Sequence, residues 1–510
     1  MTEAADRVFT NGTVRTLTGE RAGAVAVRDG TVVRVGRASE VEFLVGVETD
    51  VVDLGGRVLL PGFVDAHTHL PMVGRYARHA DLRDAADPEC CIARLADAAD
   101  AREAWILGFG YDESAWDGQY LTREDLDAVS DERPVAAFRE DLHVASLNGV
   151  ALDRLDLPAD DVRADDGEPT GVVVEDAVRA VFSAVEPDPA GTRDLLLAGQ
   201  ERALELGITG VHDMVARPAV ARAYRDLDRT GDLDLRVRLN YQRELLDAVE
   251  TAGLATDHGS DRVRVGAIKA FADGSIGGRT AKLDEPYADA EPGDEGSADT
   301  TGRWDTDPEA LAAFADRIDG QFQGAVHAIG DAAIVAVLDA FGGRDAAARH
   351  RIEHAELLTD GLVERLADSG LVVSVQPNFL KWAREGGLYE SRLGRERARA
   401  CDRFRDLLDA GATLAFGSDC MPIDPLFGIQ QAVTAPAEGQ RLSVTEAVRA
   451  YTEGAAYAGF DEDRLGRVEV GKRADFTVLS ASPWDADDDA IADIDVAMTV
   501  VDGEISADGR

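Results

Sequence analysis

Short apolar, β-branched runs recur along residues 60–418, and each is followed by a longer stretch rich in Ala, Leu, Arg and Asp. They lie at 60–67, 208–213, 235–241, 263–271, 324–327, 350–354, 371–376 and 412–418. Strand followed by helix, repeated, requires parallel pairing, because the helix carries the chain back along the sheet before the next strand begins. Eight such units predict an α/β fold closed as a (β/α)8 TIM barrel. The first two runs are about 140 residues apart, more than one crossover helix needs, so an insertion is expected at about 72–195. Within it, 87–103 reads as a helix and "PVAAF" at 134–138 as a strand.

The two ends read differently. "RVFTNGTVRTL", "AVAVRDGTVVRVG" and, near the other end, "DVAMTVVDGEIS" are short apolar runs broken by Asn-Gly and Asp-Gly turns. Such turns mark hairpins. Residues 1–57 and 463–510 are therefore expected to build one small β-sandwich from both termini, with the barrel at 58–462.

Charge narrows the partners. The chain carries 97 acidic against 53 basic residues, net −44, and only four of the basic residues are lysine (Lys269, Lys282, Lys381, Lys472). Such a surface repels nucleic acid and anionic membrane, and neither is expected as a partner. A salt-adapted (halophilic) protein is expected, because salt screens the self-repulsion. Four cysteines form no disulfide framework and no Cys-x-x-Cys spacing. The sequence begins without a basic and apolar leader, and no apolar run reaches the ~18 residues of a membrane span. A cytoplasmic protein is expected.

The chemistry sits where the strands end. "LPGFVDAHTHL" closes the first run with His67 and His69. Residues i and i+2 of a strand point to one side, so two imidazoles there can converge on one ion at a barrel mouth. The plain alternative is two partly exposed loop histidines. His327 ends "GAVH", His354 ends "RIEH", Asp419 follows "LAFGS", and Lys269 lies within the apolar "VGAIKAF". For Lys269 the alternative is an ion pair with Asp273 or another acid.

These segments resemble the amidohydrolase superfamily, and within it amidohydrolase family 3, which includes N-substituted formamide deformylases. The resemblance spans nearly the whole chain, through "LPGFVDAHTHL", "WILGFGYDES", "GITGVHDM", "IKAFADGSIGGRTA", "VHAIGDAA", "RIEHAE", "FGSDCMP" and "GRVEVGKRADFTVL". It implies a barrel flanked by a β-sandwich from both termini. It implies that His67, His69, Lys269, His327, His354 and Asp419 are metal ligands for one or two zinc ions, two if Lys269 is carboxylated. Asp419 is implied as the acid–base group, with His354 and His143 also in the catalytic set. Where the family has Asp-Gly before that last histidine, this chain has Asp141-Leu142. Tyr111, Asp112 and Glu113 are further pocket candidates, and His212, Asp331 and Glu353 candidates to support the ligands.

The expected activity is hydrolysis of a carbon–nitrogen bond, a non-peptide amide such as a formamide or cyclic amide, in a small molecule. A homodimer is the expected assembly. Three rivals remain. "HRIEH" at 350–354 fits His-x-x-Glu-His, a zinc-protease motif that requires a helix. A deaminase would keep the fold, but such members place a glutamate soon after the fifth-strand histidine, where this chain has Asp331. A non-catalytic small-molecule binding protein would also keep the fold.

Overall fold

The computed structural model describes residues 3–83, 85–99, 104–113, 116, 119–140, 142–290 and 300–510. The chain divides into two compact units, Met1–His69 with Ala203–Arg510, and Leu70–Arg202.

The first unit holds the barrel. Its strands are β1 (Phe63–Thr68), β2 (Ile208–Val215), β3 (Arg236–Gln242), β4 (Val263–Phe271), β5 (Gln323–Ala328), β6 (Arg351–His354), β7 (Val372–Val375) and β8 (Thr413–Phe416). They pair in chain order, every pair parallel. All residues of β1, β2, β6 and β7 are buried, as strands covered on both faces must be. "RIEH" is thus a strand, and the helix that a His-x-x-Glu-His protease site needs is absent there.

The run at 60–67 divides into two strands. Val58–Pro61 belongs to a terminal sheet, pairing with Thr13–Arg15 and Phe476–Leu479, and only from Phe63 does the chain enter the barrel. Gly62 is the pivot, because a Cβ there would stand 2.3 Å from Thr209 Oγ1.

No ladder joins β1 to β8, so the barrel is nearly closed rather than fully laddered. The seam is latched at its mouth, where Ser418 N and Asp419 N both donate to His67 O, at 3.1 and 2.7 Å. Asp65 reinforces it, accepting from His67 N at 3.1 Å and Ser418 N at 3.0 Å. Gly417 permits the approach: a Cβ there would lie 2.4 Å from His67 N.

Both termini build two sheets. One has the order Thr31–Gly36, Ala24–Arg28, Arg7–Thr10, Asp50–Asp53. The other runs Glu504–Asp508, Val496–Val501, Phe476–Leu479, Val58–Pro61, Thr13–Arg15, Arg21–Ala22. Their inner faces share a core of Phe9, Val25 and Val52 with Phe476, Val478 and Val500. Phe9 meets Phe476 edge to face at 5.7 Å.

The Leu70–Arg202 unit has a mixed sheet of order Val162–Asp165, Glu168–Val174, Val144–Leu147, Val135–Arg139, Ile106–Tyr111, Ala80–Asp81. The strand expected at "PVAAF" is there. The helix expected over 87–103 is Pro88–Asp97, with Asp87 capping it through Cys90 N at 2.7 Å; residues 100–103 lie outside the described residues. Among the described residues no helix is long and apolar enough to cross a membrane.

One buried histidine gives the fold an acid limit. His350, just before β6, accepts from Gly324 N through Nδ1 at 2.9 Å. Burial and then Arg344 push its pKa down from 6.5 to about 4. The unfolded ring is protonated near pH 6.5 and the folded ring only near 4. Stability from this residue is therefore complete above about pH 6.5 and is lost as pH falls toward 4. The effect is bounded at about 3 kcal/mol. His350→Asn keeps an acceptor for Gly324 N, so it should lose about 1–3 kcal/mol less than the parent chain between pH 7 and 4.5 in urea melts. Equal losses would refute the assignment.

Candidate metal centre

The strand ends place the candidate residues. His67 lies near the end of β1 with His69 just beyond it, Lys269 in β4, His327 in β5, His354 at the end of β6, and Asp419 three residues past β8. His69 Nε2 is 3.1 Å and His67 Nε2 3.7 Å from Asp419 Oδ1. One ligand atom each from His67, His69 and Asp419 can be chosen so that all lie within 4.8 Å of one another. The rings continue the cluster: His67 to His354 is 4.9 Å and His354 to His327 is 4.4 Å between centroids. His354 and Asp419 both adopt left-handed backbone, φ 71° and 51°. Non-glycine residues hold that conformation at a cost and are concentrated at functional sites.

The electrostatics keep His67, His327 and His354 neutral; at His69 burial lowers the pKa but Asp419 outweighs it and raises the pKa. Burial, then Lys269, hold His67 well below its ordinary pKa and His327 at about 4. Burial and the neighbouring histidines do the same for His354. Neutral imidazoles keep a lone pair for a metal. Burial alone would raise the Asp419 carboxyl, but His67, His69 and Lys269 draw it down to about 2. Burial brings Lys269 down to about 8, against the opposing pull of Glu353 and Asp419. Its Nζ lies 4.9 Å over the Phe271 ring. Asp273 is not its partner: that carboxylate accepts from Lys282 N, Ile329 N and Gly330 N at 2.8, 3.0 and 2.8 Å.

Partner chemistry assigns two tautomers. Gly274 O can only accept, so His327 Nε2, 2.9 Å away, donates to it and leaves Nδ1 free. Glu353 Oε2 lies 2.6 Å from His67 Nδ1, so His67 donates there and presents Nε2 toward Asp419. His354 Nδ1 is buried with no hydrogen-bond partner. A buried orphan nitrogen beside a set of histidine and carboxylate donors fits a metal ion.

The remaining candidates divide between the two units. His143 is exposed in the Leu70–Arg202 unit, its Nδ1 3.7 Å from Glu175 Oε2. Tyr111 and Glu113 are also in that unit, bonded to Ser146 at 3.1 Å and Arg139 at 2.7 Å. Asp331 orients no histidine; it accepts from Asp284 N and Ala332 N at 2.9 and 3.0 Å. A cleft of about 930 Å³ opens beside Thr413 and Leu414, where β8 begins, at the opposite end of that strand from Asp419. Sequence reasoning missed Asp65 and Arg351. The one available signal was a charged residue inside an otherwise apolar strand.

A nearly closed eight-stranded barrel with histidines and an aspartate gathered at its strand ends defines a metal-dependent hydrolase of the amidohydrolase superfamily. The amidohydrolase family 3 profile matches residues 50–507, and the chain belongs to that family. It is 32% identical to YtcJ of Bacillus subtilis, over 96% of each chain. It is 26% identical to the N-substituted formamide deformylase of Arthrobacter pascens, over 99% of this chain and 98% of that one. An uncharacterized metal-dependent hydrolase from Pyrococcus furiosus superposes with a TM-score of 0.79 at 32% identity, covering 94% of this chain and 99% of its own.

Proposed function

We propose that this chain is a zinc-dependent hydrolase of carbon–nitrogen bonds, other than peptide bonds, in small molecules, a formamide or cyclic amide being the favoured class. The observation that carries it is the convergence of His67, His69 and Asp419 at the barrel mouth. Similarity to the formamide deformylase supports the amide class. His67, His69, Lys269, His327, His354 and Asp419 would hold the metal. When bound, zinc supplies a Lewis acid that polarises a carbonyl and acidifies water.

The chain's own groups do the rest. Asp419, ionised through the neutral range, takes the water's proton on a carboxylate oxygen and returns it to the leaving amine. Lys269 loses its proton readily because it is buried, and a neutral amine is the form that reacts with CO2 to give a carbamate, an anionic oxygen donor. His354 adds a neutral nitrogen, and His143 is proposed as a substrate contact. The same reading divides the chain into 1–57 with 463–510 as a sandwich and 58–462 as a barrel with its insertion at about 72–195. It treats the net charge of −44 as adaptation to salt, the compartment as cytoplasmic and the assembly as a homodimer.

Zinc per chain is the deciding measurement, made by elemental analysis after purification without chelator in high salt. About two ions are expected if Lys269 is carboxylated, and about one if it is not. No uptake even with zinc and bicarbonate supplied would overturn the proposal.

A further inference from the structure

Beneath His67 the barrel interior holds an ion pair that the hydrolytic steps do not use. Arg351 and Glu353, two residues apart on β6, are 1% and 0% exposed. Arg351 Nε donates to Glu353 Oε1 at 2.7 Å and Nη2 to Oε2 at 3.1 Å. Nη2 also reaches Ser374 Oγ on β7 at 2.9 Å and Ala66 O on β1 at 2.6 Å. Nη1 lies 2.9 Å from His212 Nδ1 on β2. A guanidinium only donates, so His212 Nδ1 is the acceptor. One arginine thus ties its own strand to three others.

The cost of this arrangement requires a reason. Interior layers of such barrels are usually Val, Ile and Leu. A buried ion pair rarely outperforms well-packed apolar residues of the same volume. What apolar residues cannot do is grip His67 at two points. Arg351 holds the carbonyl of Ala66, immediately before it, and Glu353 holds its ring at Nδ1, 2.6 Å away. His327 has a backbone carbonyl instead, on Nε2, and His354 Nδ1 has no partner. Asp273 Oδ1 also stands 3.6 Å from His327 Nε2, beyond hydrogen-bond length. Of the three, only His67 has a carboxylate at hydrogen-bond distance, itself locked bidentately by Arg351.

We infer that Arg351 and Glu353 are positioning residues for His67: the carboxylate fixes the Nδ1–H tautomer and aims Nε2 at the metal, and the arginine fixes the carboxylate. A carboxylate behind a ligating histidine raises its basicity and sets its orientation, and loss of one typically weakens metal binding 10–100-fold. This inference rests on the metal-centre reading above.

The test uses the full chain and two variants, Glu353→Gln and the double variant Arg351→Met/Glu353→Leu, which removes both buried charges so that neither is stranded. Zinc affinity is read by competition with a chromophoric chelator, and folding by the melting transition. In the metal-free protein, 15N-histidine spectra report the tautomer of His67, assigned by the signal missing from His67→Asn. Both variants are expected to melt cooperatively and bind zinc about 10–100-fold more weakly. Metal-free parent chain is expected to show His67 as Nδ1–H, and the double variant to lose that signature. Zinc affinity within about threefold of the parent in both variants, or His67 found as Nε2–H in the parent, would overturn the inference. A parent chain that takes up no zinc sinks the hydrolase reading instead, while the tautomer still decides this one.

Discussion

Asp419→Asn should fold as the parent does and hydrolyse its amide substrate about 10²–10⁴-fold more slowly. Asparagine keeps the shape and leaves the backbone latch to His67 O intact, since that bond uses Asp419 N. It removes the basic oxygen 3.1 Å from His69 Nε2 and the negative charge surrounded by His67, His69 and Lys269. In the proposed mechanism, proton transfer from water to the leaving amine then has no carrier. The check is kcat on an amide hydrolysed by the parent chain, with zinc content measured in parallel. A kcat within tenfold of the parent would remove Asp419 from the acid–base role.

Arg236→Met should cost about 3–5 kcal/mol of stability, the range for breaking a buried ion pair by removing one partner. Arg236 begins β3 and is 5% exposed. It reaches Asp475 through Nε and Nη2, Asp502 through Nη2 and Asp261 through Nη1. Asp475 is equally buried, immediately before the strand Phe476–Leu479 of the terminal sheet. Methionine fills the space of the stem and leaves Asp475 with one backbone donor, Asp502 N at 2.9 Å. Urea melts of the two chains give the difference, and a loss under about 1 kcal/mol would show that the network is replaceable.

Most barrel strands are legible in the sequence because burial on both faces leaves a β-branched run with little else in it. The break at Gly62 is not, because the run is apolar on both sides of it, and the close approach of Thr209 that a side chain there would block comes from far along the chain. The ligand candidates are legible because each stands at or near a strand end. Their support is legible only in part: Glu353 stands out as a candidate to hold a histidine, but which one does not, because it meets His67 across 286 residues. The choice between Asp273 and other acids beside Lys269 was equally out of reach. It depends on the backbone donors of residues 282, 329 and 330, which occupy Asp273.

The latch at the seam bears on the order in which the chain is made. His67, His69, Lys269, His327 and His354 all emerge from the ribosome before the segment that carries Asp419. Until β8 arrives, one edge of β1 has no strand beside it, the kind of edge that invites mispairing during synthesis. The bonds that end this wait, from Ser418 N and Asp419 N to His67 O, also bring the Asp419 carboxylate beside His67 and His69. The segment that latches the barrel seam also carries Asp419, so a half-made chain holds its histidines but lacks the carboxylate proposed to move the proton.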